Sequence, residues 1–375
     1  MKKTLACALA LCLLLSLPAG AAEAAPVEIQ AKSVLLMERE SGTVLYEQDA
    51  HTPLPPASVT KVMTMLLVAE ALDSGVLSPD EMVTTSAAAA GMGGSQVYLE
   101  EGEQMSVSEM LKAVAVASGN DAAVALAEHL KGSESAFVEA MNRRAAELGM
   151  ADTHFVNCTG LPAEGHVTTA YDIALMSRAL LGHPVIRPFV GTWMDSLRGG
   201  AFTLSNTNKL IHFYQGATGL KTGFTQDAGF CISASAEREG MELIAVVLGS
   251  ETSKDRFETA KNLLNYGFGG WAMAQATPTK PLAPVPVALG TAEAVEPVPQ
   301  RHLRLLLTRD QAAQLTVTTE VVPSLEAPVE QGAPVGMLRA YVGDTCVGEM
   351  PLVAANTVER RGFADLFREM VDRLS

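Results

Sequence analysis

The chain has 375 residues, with 42 acidic and 27 basic side chains and a net charge of −15. That length allows two or three domains with substantial cores, and hydrophobic residues at 48% against 18% charged exclude a wholly disordered chain. The acidic excess repels phosphate backbones, which excludes nucleic acid as a partner.

The first segment, 1–24, reads as a secretory signal. Lys2 and Lys3 precede an uncharged apolar run from Leu5 to Leu17, which Pro18 and Gly20 end. The run is short for a membrane span, and Ala22-Glu23-Ala24 suits cleavage before Ala25. Retention as an uncleaved anchor is the alternative. Cleavage removes Lys2, Lys3 and Glu23 and takes the net charge from −15 to −16. The expected location is across the cytoplasmic membrane, on its outer face or in the cell wall. Cys158, Cys231 and Cys346 remain beyond the signal, an odd number with no Cys-x-x-Cys pair. They are expected to be small buried hydrophobes.

Two strands are expected at 31–38 and 43–47, joined by a hairpin turn at Ser41-Gly42. Helical spacing follows at 57–72, 107–131, 135–149 and 170–181. Strand character returns at 216–222, 228–236 and 242–249, and a helix is expected over 254–266. Strands at both ends of a helical region suit one sheet with a helical insertion, in an α/β (α+β) domain spanning 25–275. Six prolines between 278 and 299 mark a linker or edge strands. Short strands such as 302–308 and 314–322 then suit a small all-β domain, 276–356.

The segment 357–375 is amphipathic. Phe363, Leu366, Phe367, Met370, Val371 and Leu374 share one helical face, and Arg360, Arg361, Asp365, Arg368, Glu369, Asp372 and Arg373 take the other positions. It is expected to lie on a membrane surface, with docking on its own domain as the alternative. Its charges nearly cancel, so the apolar face would supply the attraction.

Three short motifs carry candidate chemistry. Ser58 and Lys61 lie three apart at the start of a helix, on one face. A serine hydroxyl needs a base, and a lysine serves as one when burial lowers its pKa. Val62, Met63, Leu66 and Leu67 suggest that burial. Ser118 and Asn120 flank Gly119 after an apolar run, so both face one cleft if the chain turns there. Lys221, Thr222 and Gly223 close a predicted strand, combining a cation, a hydroxyl and room for close backbone approach. Taken singly, each motif also fits an ordinary helix cap, turn or strand end.

Their joint order is more specific. Ser-x-x-Lys, Ser-x-Asn and Lys-Thr-Gly occur in the order and setting of the penicillin-binding proteins and class A β-lactamases. The chain resembles the serine D-alanyl-D-alanine carboxypeptidases, the low-molecular-mass penicillin-binding proteins of the peptidase S11 kind. Residues 118–128, 155–161, 166–170 and 206–208 extend the resemblance, which covers 30–270 strongly and 280–375 more loosely. It implies a β-lactamase/transpeptidase-like antiparallel sheet, followed by the β domain and the terminal helix.

The resemblance also implies roles. Ser58 would be the acylated nucleophile, Lys61 its base and Ser118 a proton relay. Asn120 would hold the substrate amide, Lys221 would set the electrostatics, and Thr222 would bind the terminal carboxylate. The oxyanion hole would use the backbone N–H groups of Ser58 and Phe224. Arg256 matches a position that helps hold the carboxylate, or else is a surface helix arginine. The implied substrate is a peptidoglycan stem peptide, and β-lactams would inhibit by acylating Ser58. No metal or cofactor is called for, since no His-Glu-x-x-His occurs. Three other readings remain: a β-lactamase, a DD-endopeptidase, or a non-catalytic wall-binding protein. The first lacks a Glu-x-x-Leu-Asn between Ser118 and Lys221, where Glu164 is the nearest candidate.

Overall fold

The computed structural model describes residues 27–363 and residue 371. The expected signal, 1–24, and most of the expected terminal helix lie outside the described residues. Strands β1 (Ser33–Glu38) and β2 (Val44–Gln48) open the chain. Helices α1 (Lys61–Asp73), α2 (Asn120–Lys131), α3 (Glu134–Glu147) and α4 (Ala170–Leu181) form the middle. Strands β3 (Ala217–Thr225), β4 (Gly229–Arg238) and β5 (Met241–Ser250) follow, then helix α5 (Ser253–Gly270). The five strands form one antiparallel sheet in the order β2-β1-β5-β4-β3. The expected sheet, built from both ends of the domain around a helical insertion, is therefore present.

Alternation along the central strands explains why the sheet is covered twice. Leu35 and Met37 on β1, with Ile244, Val246 and Leu248 on β5, join the core formed with α1 and α4. Val34 and Leu36, with Leu243, Ala245 and Val247, join a second core beneath α5. Because both faces are buried, β5 reads as a nearly unbroken apolar run. Helix α1 is apolar nearly all round and is buried accordingly.

The expected continuous helix over 107–131 is interrupted. A helix at Val107–Lys112 passes into a π-turn at Ala113–Ala117, and Ser118 then takes a left-handed conformation with φ of +64°. The Ser118 N–H still reaches Ala113 O, but Gly119 leaves the helical range with ψ of 118° and α2 starts afresh at Asn120. Tertiary packing thus overrides a run of good helix formers, as π-turns commonly do beside functional sites.

Beyond α5, strand β6 (Trp271–Ala276) pairs antiparallel with β7 (Leu303–Thr308). The proline-rich stretch contributes the short strands Val285–Ala288, Ala294–Val295 and Pro297–Pro299. Strands β8 (Leu315–Val321), β9 (Pro334–Val342) and β10 (Thr345–Ala354) form a sheet with Pro297–Pro299 at one edge. Val358 and Arg360, expected in a helix starting at 357, are instead extended and bridge to Val329 and Gly290. The reason is local: the Val358 side chain fills the core of the β domain. Cys158 and Cys231 are buried as expected, but Cys346 is exposed, because it lies beside the β9–β10 turn. Among the described residues no helix is long and apolar enough to cross a membrane.

Leu35 is fully buried opposite Val246 in the middle of the sheet. Replacing Leu35→Ala should lower unfolding stability by about 2–5 kcal/mol, measurable by urea unfolding of the purified protein.

Candidate active site

Ser58 stands in a short 3-10 turn, Ala57–Thr60, that leads into α1. Ala57 has φ of +47°, a left-handed conformation that disfavours a residue with a Cβ. The turn is held in this shape by the segment 155–166 packed against it. Gly160, itself at φ of +83°, has no room for a side chain, since a Cβ there would lie 1.8 Å from Ala57 O.

Lys61 is fully buried one turn along the helix. Its Nζ lies 3.1 Å from Ser58 Oγ, 2.5 Å from Asn120 Oδ1 and 2.8 Å from Thr159 O. The orientation of Asn120 follows from its other end, where Nδ2 donates to Gly93 O at 2.6 Å. Because a carbonyl only accepts, Oδ1 must face the lysine. Burial lowers the Lys61 pKa to about 7, against weaker opposing effects of Cys158 and Asp121. A neutral amine has two protons and one lone pair. The two protons suit Thr159 O and Asn120 Oδ1, which can only accept. The lone pair then faces the Ser58 hydroxyl, the arrangement a general base requires.

Lys221 is buried on β3, and its Nζ donates to Thr222 O at 2.8 Å. Burial holds its pKa well below the usual lysine value, and repulsion from Lys61 and Arg256 adds to this. Lys61, Lys221 and Arg256 therefore share one region of positive potential, which favours an anionic ligand group. Thr222 Oγ1 donates to Thr207 Oγ1 at 2.8 Å, and Thr207 N–H donates to Val116 O, two residues before Ser118. This ties β3 to the π-turn that delivers Ser118, which is itself nearly buried.

Gly223 brings β3 against the Ser58 turn. A Cβ on it would lie 2.9 Å from Ser58 N and 2.8 Å from Pro56 O. Phe224 follows with its ring exposed and stacked on Phe230 at 4.2 Å between centroids. Arg256 is not a surface arginine. It is buried, with Nη1 donating to Gly223 O at 3.1 Å and Cys231 O at 3.2 Å, and Nη2 donating to Ser253 Oγ. Its guanidinium also lies over the Phe257 and Phe230 rings. Gly223 O belongs to the same peptide as the Phe224 N–H, so Arg256 helps aim that donor.

Several supporting residues carry no chemistry legible in the motifs. Asp121 accepts from the backbone of Val97 and Leu99, and the Asn120 N–H donates to Ser95 O. Together they pin the 93–99 loop over the Ser118–Asn120 corner. Asn157 Oδ1 accepts from Thr159 N and Gly160 N, shaping the loop that points Thr159 O at Lys61. Asn157 precedes Cys158-Thr159-Gly160, and an Asn that opens a tight turn into Gly is an Asx-turn signal, so this feature was open to a local reading. Glu164 is exposed in a loop. Among the described residues no group of three or more His, Cys, Asp or Glu side chains could hold a metal ion.

Comparison with known proteins identifies the family. A model of the D-alanyl-D-alanine carboxypeptidase family matches residues 19–252, so the chain belongs to that family. A model of the penicillin-binding protein 5 C-terminal domain matches residues 279–360. The chain is 41% identical over 345 residues to the D-alanyl-D-alanine carboxypeptidase DacF of Bacillus subtilis, covering 89% of this chain and 87% of that protein. Its fold is similar to penicillin-binding protein 6B from Escherichia coli, with TM-score 0.72, 32% identity, and coverage of 88% of this chain and 97% of the other. It is also similar to penicillin-binding protein D2 from Listeria monocytogenes in an ampicillin-bound form, with TM-score 0.60, 35% identity, and coverage of 65% and 100%.

The lowered Lys61 pKa sets a pH dependence. Lys61 can take a proton only when it is unprotonated, so acylation of Ser58 should rise with pH, about tenfold per unit below the pKa, and level off above about 7. Penicillin acylation rates measured from pH 5 to 10 check this, and a midpoint near the ordinary lysine value would contradict it.

Proposed function

We propose that this chain is a serine DD-carboxypeptidase that removes the terminal D-alanine from peptidoglycan stem pentapeptides through an acyl-enzyme. The observation that carries the reading is the Lys61 amine held between two obligate acceptors with Ser58 Oγ at 3.1 Å. Family membership supplies the substrate class.

The geometry suits acyl transfer in two steps. Ser58 Oγ attacks the carbonyl between the two last D-alanines as its proton passes to Lys61 Nζ. The developing oxyanion is met by the Ser58 and Phe224 backbone N–H groups, placed in advance by the Ala57 turn and by β3. Preorganised donors of this kind commonly make the largest electrostatic contribution. Ser118 relays a proton to the departing amine, and Asn120 holds the stem-peptide amide while keeping Lys61 in place. Thr222, Lys221 and Arg256 receive the terminal carboxylate. Its negative charge offsets the repulsion that Lys61 and Arg256 exert on Lys221, so substrate raises the Lys221 pKa as it binds. Water then attacks the ester and regenerates Ser58. A β-lactam enters by the same attack, its opened ring staying attached where the D-alanine would have departed. The ampicillin-bound relative supports this mode of inhibition.

The purified protein should release free D-alanine from a stem pentapeptide and form a Ser58 adduct with fluorescent penicillin. Ser58→Ala should abolish both, and penicillin labelling without D-alanine release would sink the carboxypeptidase assignment.

The segment 1–24 supports export, which would place the enzyme on the outer side of the cytoplasmic membrane, where its substrate lies. The apolar face of 357–375 supports attachment to that membrane surface. Membrane pelleting of the full-length protein should fall when the chain is ended near Asn356, and equal pelleting of the two forms would remove the anchor.

A further inference from the structure

The segment 155–166 touches the active site at three points. Two are Thr159 O on Lys61 and Gly160 against Ala57 O. The third is His166, which contacts neither Ser58 nor Lys61 through any bond described above. Its Nε2 lies 2.8 Å from Thr60 Oγ1, and Thr60 Oγ1 donates to Ala57 O at 2.9 Å. All three of these polar atoms lie in a buried setting, with Thr60 fully buried and His166 nearly so.

The proton positions along this relay are determined by its ends. Val156 N–H donates to His166 Nδ1 at 3.0 Å, so Nδ1 presents a lone pair. Burial pushes the His166 pKa down to about 4, with repulsion from His154 adding to it, so the ring is neutral at neutral pH. A neutral ring with a lone pair on Nδ1 carries its proton on Nε2. Nε2–H therefore donates to Thr60 Oγ1, and the Thr60 hydroxyl proton is left for Ala57 O, which can only accept. The order is fixed: Val156 N–H to His166, His166 to Thr60, Thr60 to Ala57 O.

Ala57 O is not an arbitrary acceptor. It belongs to the peptide that joins Ala57 to Ser58, which is trans and planar, so its carbonyl and the Ser58 N–H point in opposite directions. Holding the carbonyl aims the N–H. The turn does not otherwise hold that N–H, because its first backbone bond runs from Val59 N–H to Pro56 O. The peptide also follows Ala57 at φ of +47°, a conformation a non-glycine residue leaves readily unless neighbours hold it. We propose that His166, acting through Thr60, is a positioning residue for the oxyanion hole: the relay fixes the Ala57–Ser58 peptide plane and so aims the Ser58 N–H at the reacting carbonyl oxygen. This rests on the acyl-transfer reading above.

The distinguishing readout is the ester carbonyl of the acyl-enzyme, whose infrared band falls in wavenumber as oxyanion-hole bonds strengthen. Wild-type protein is acylated with penicillin labelled with carbon-13 at the β-lactam carbonyl, and the isotope-edited band is recorded beside the acylation and deacylation rates. In Thr60→Val and His166→Leu the band should move to higher wavenumber. Both rates should fall together by about tenfold, less than the loss expected for removing a donor outright. The pH midpoint set by Lys61 should stay in place. Thr60→Ser retains the hydroxyl and His166→Gln retains an N–H donor toward it, and both should restore the band and the rates. If one deletion variant does not fold, the other deletion and the two conservative variants still read the same band. A wild-type band and wild-type rates in a deletion variant that only melts earlier would overturn the proposal, leaving His166 a structural residue. Failure of the wild-type protein to acylate at all would instead overturn the acyl-transfer reading, and this proposal with it.

Discussion

The burial of the Lys61 amine beside two oxygens that can only accept hydrogen bonds is the constraint on which the rest of the site depends. A charged ammonium in that place would lose its hydration, and burial answers by lowering its pKa to about 7. Carbonyl and amide oxygens take two N–H bonds and leave one lone pair, and the spacing of one helical turn places Ser58 at that lone pair. The Ser58 hydroxyl is therefore presented to the amine by geometry that exists before any ligand arrives. The same arrangement makes Asn120 bifunctional, because its amide must be held by Gly93 O for its oxygen to face the lysine.

Most of the molecule can be read as support for that contact. The sheet is buried on both faces, so its position relative to α1 and α5 is set by two independent cores. Helix α1 and the 3-10 turn before it carry Lys61 and Ser58 out of the first core, and β3 at the sheet edge carries Lys221 and Thr222 to meet them. Gly223 permits the approach of the two backbones. The π-turn and left-handed Ser118 swing the Ser-x-Asn motif into the same cleft. The 155–166 segment closes the group by touching Lys61, Ala57 and Thr60 at once. Two peptides bearing candidate oxyanion donors are each held by their carbonyls, one by Thr60 and the other by Arg256.

The charge distribution runs against the overall balance of the chain. A protein of net charge −15 concentrates Lys61, Lys221 and Arg256 in one cleft, each buried. Their mutual repulsion is tolerable because burial favours the neutral form of each lysine and because Arg256 spreads its charge over two carbonyls and two aromatic rings. An incoming carboxylate would relieve the repulsion that remains, which would link binding of an anionic terminus to the protonation of the site. Net charge by itself would have suggested a protein that repels such ligands.

Much of this was legible from residues alone. The paired strands at the start, the helical middle, the three later strands and the β domain followed from periodicity and from proline and glycine placement, because those signals act over a few neighbouring residues. Ser58, Lys61, Ser118, Asn120 and the Lys-Thr-Gly strand were legible through their order. The break at Ser118 inside an alanine-rich run was only hinted at by Ser-Gly-Asn, since nothing local prevents those alanines from continuing a helix. Asp121, Asn157, Thr60 and His166 took on their roles only once segments far apart in the chain were packed together. Thr60 and His166 are 106 positions apart, and no short-range pattern records that they are hydrogen-bonded. The chain's order thus determined which chemical groups the site possesses. Tertiary packing alone decided their protonation and aim, because burial and hydrogen-bond geometry are properties of groups brought together across the fold.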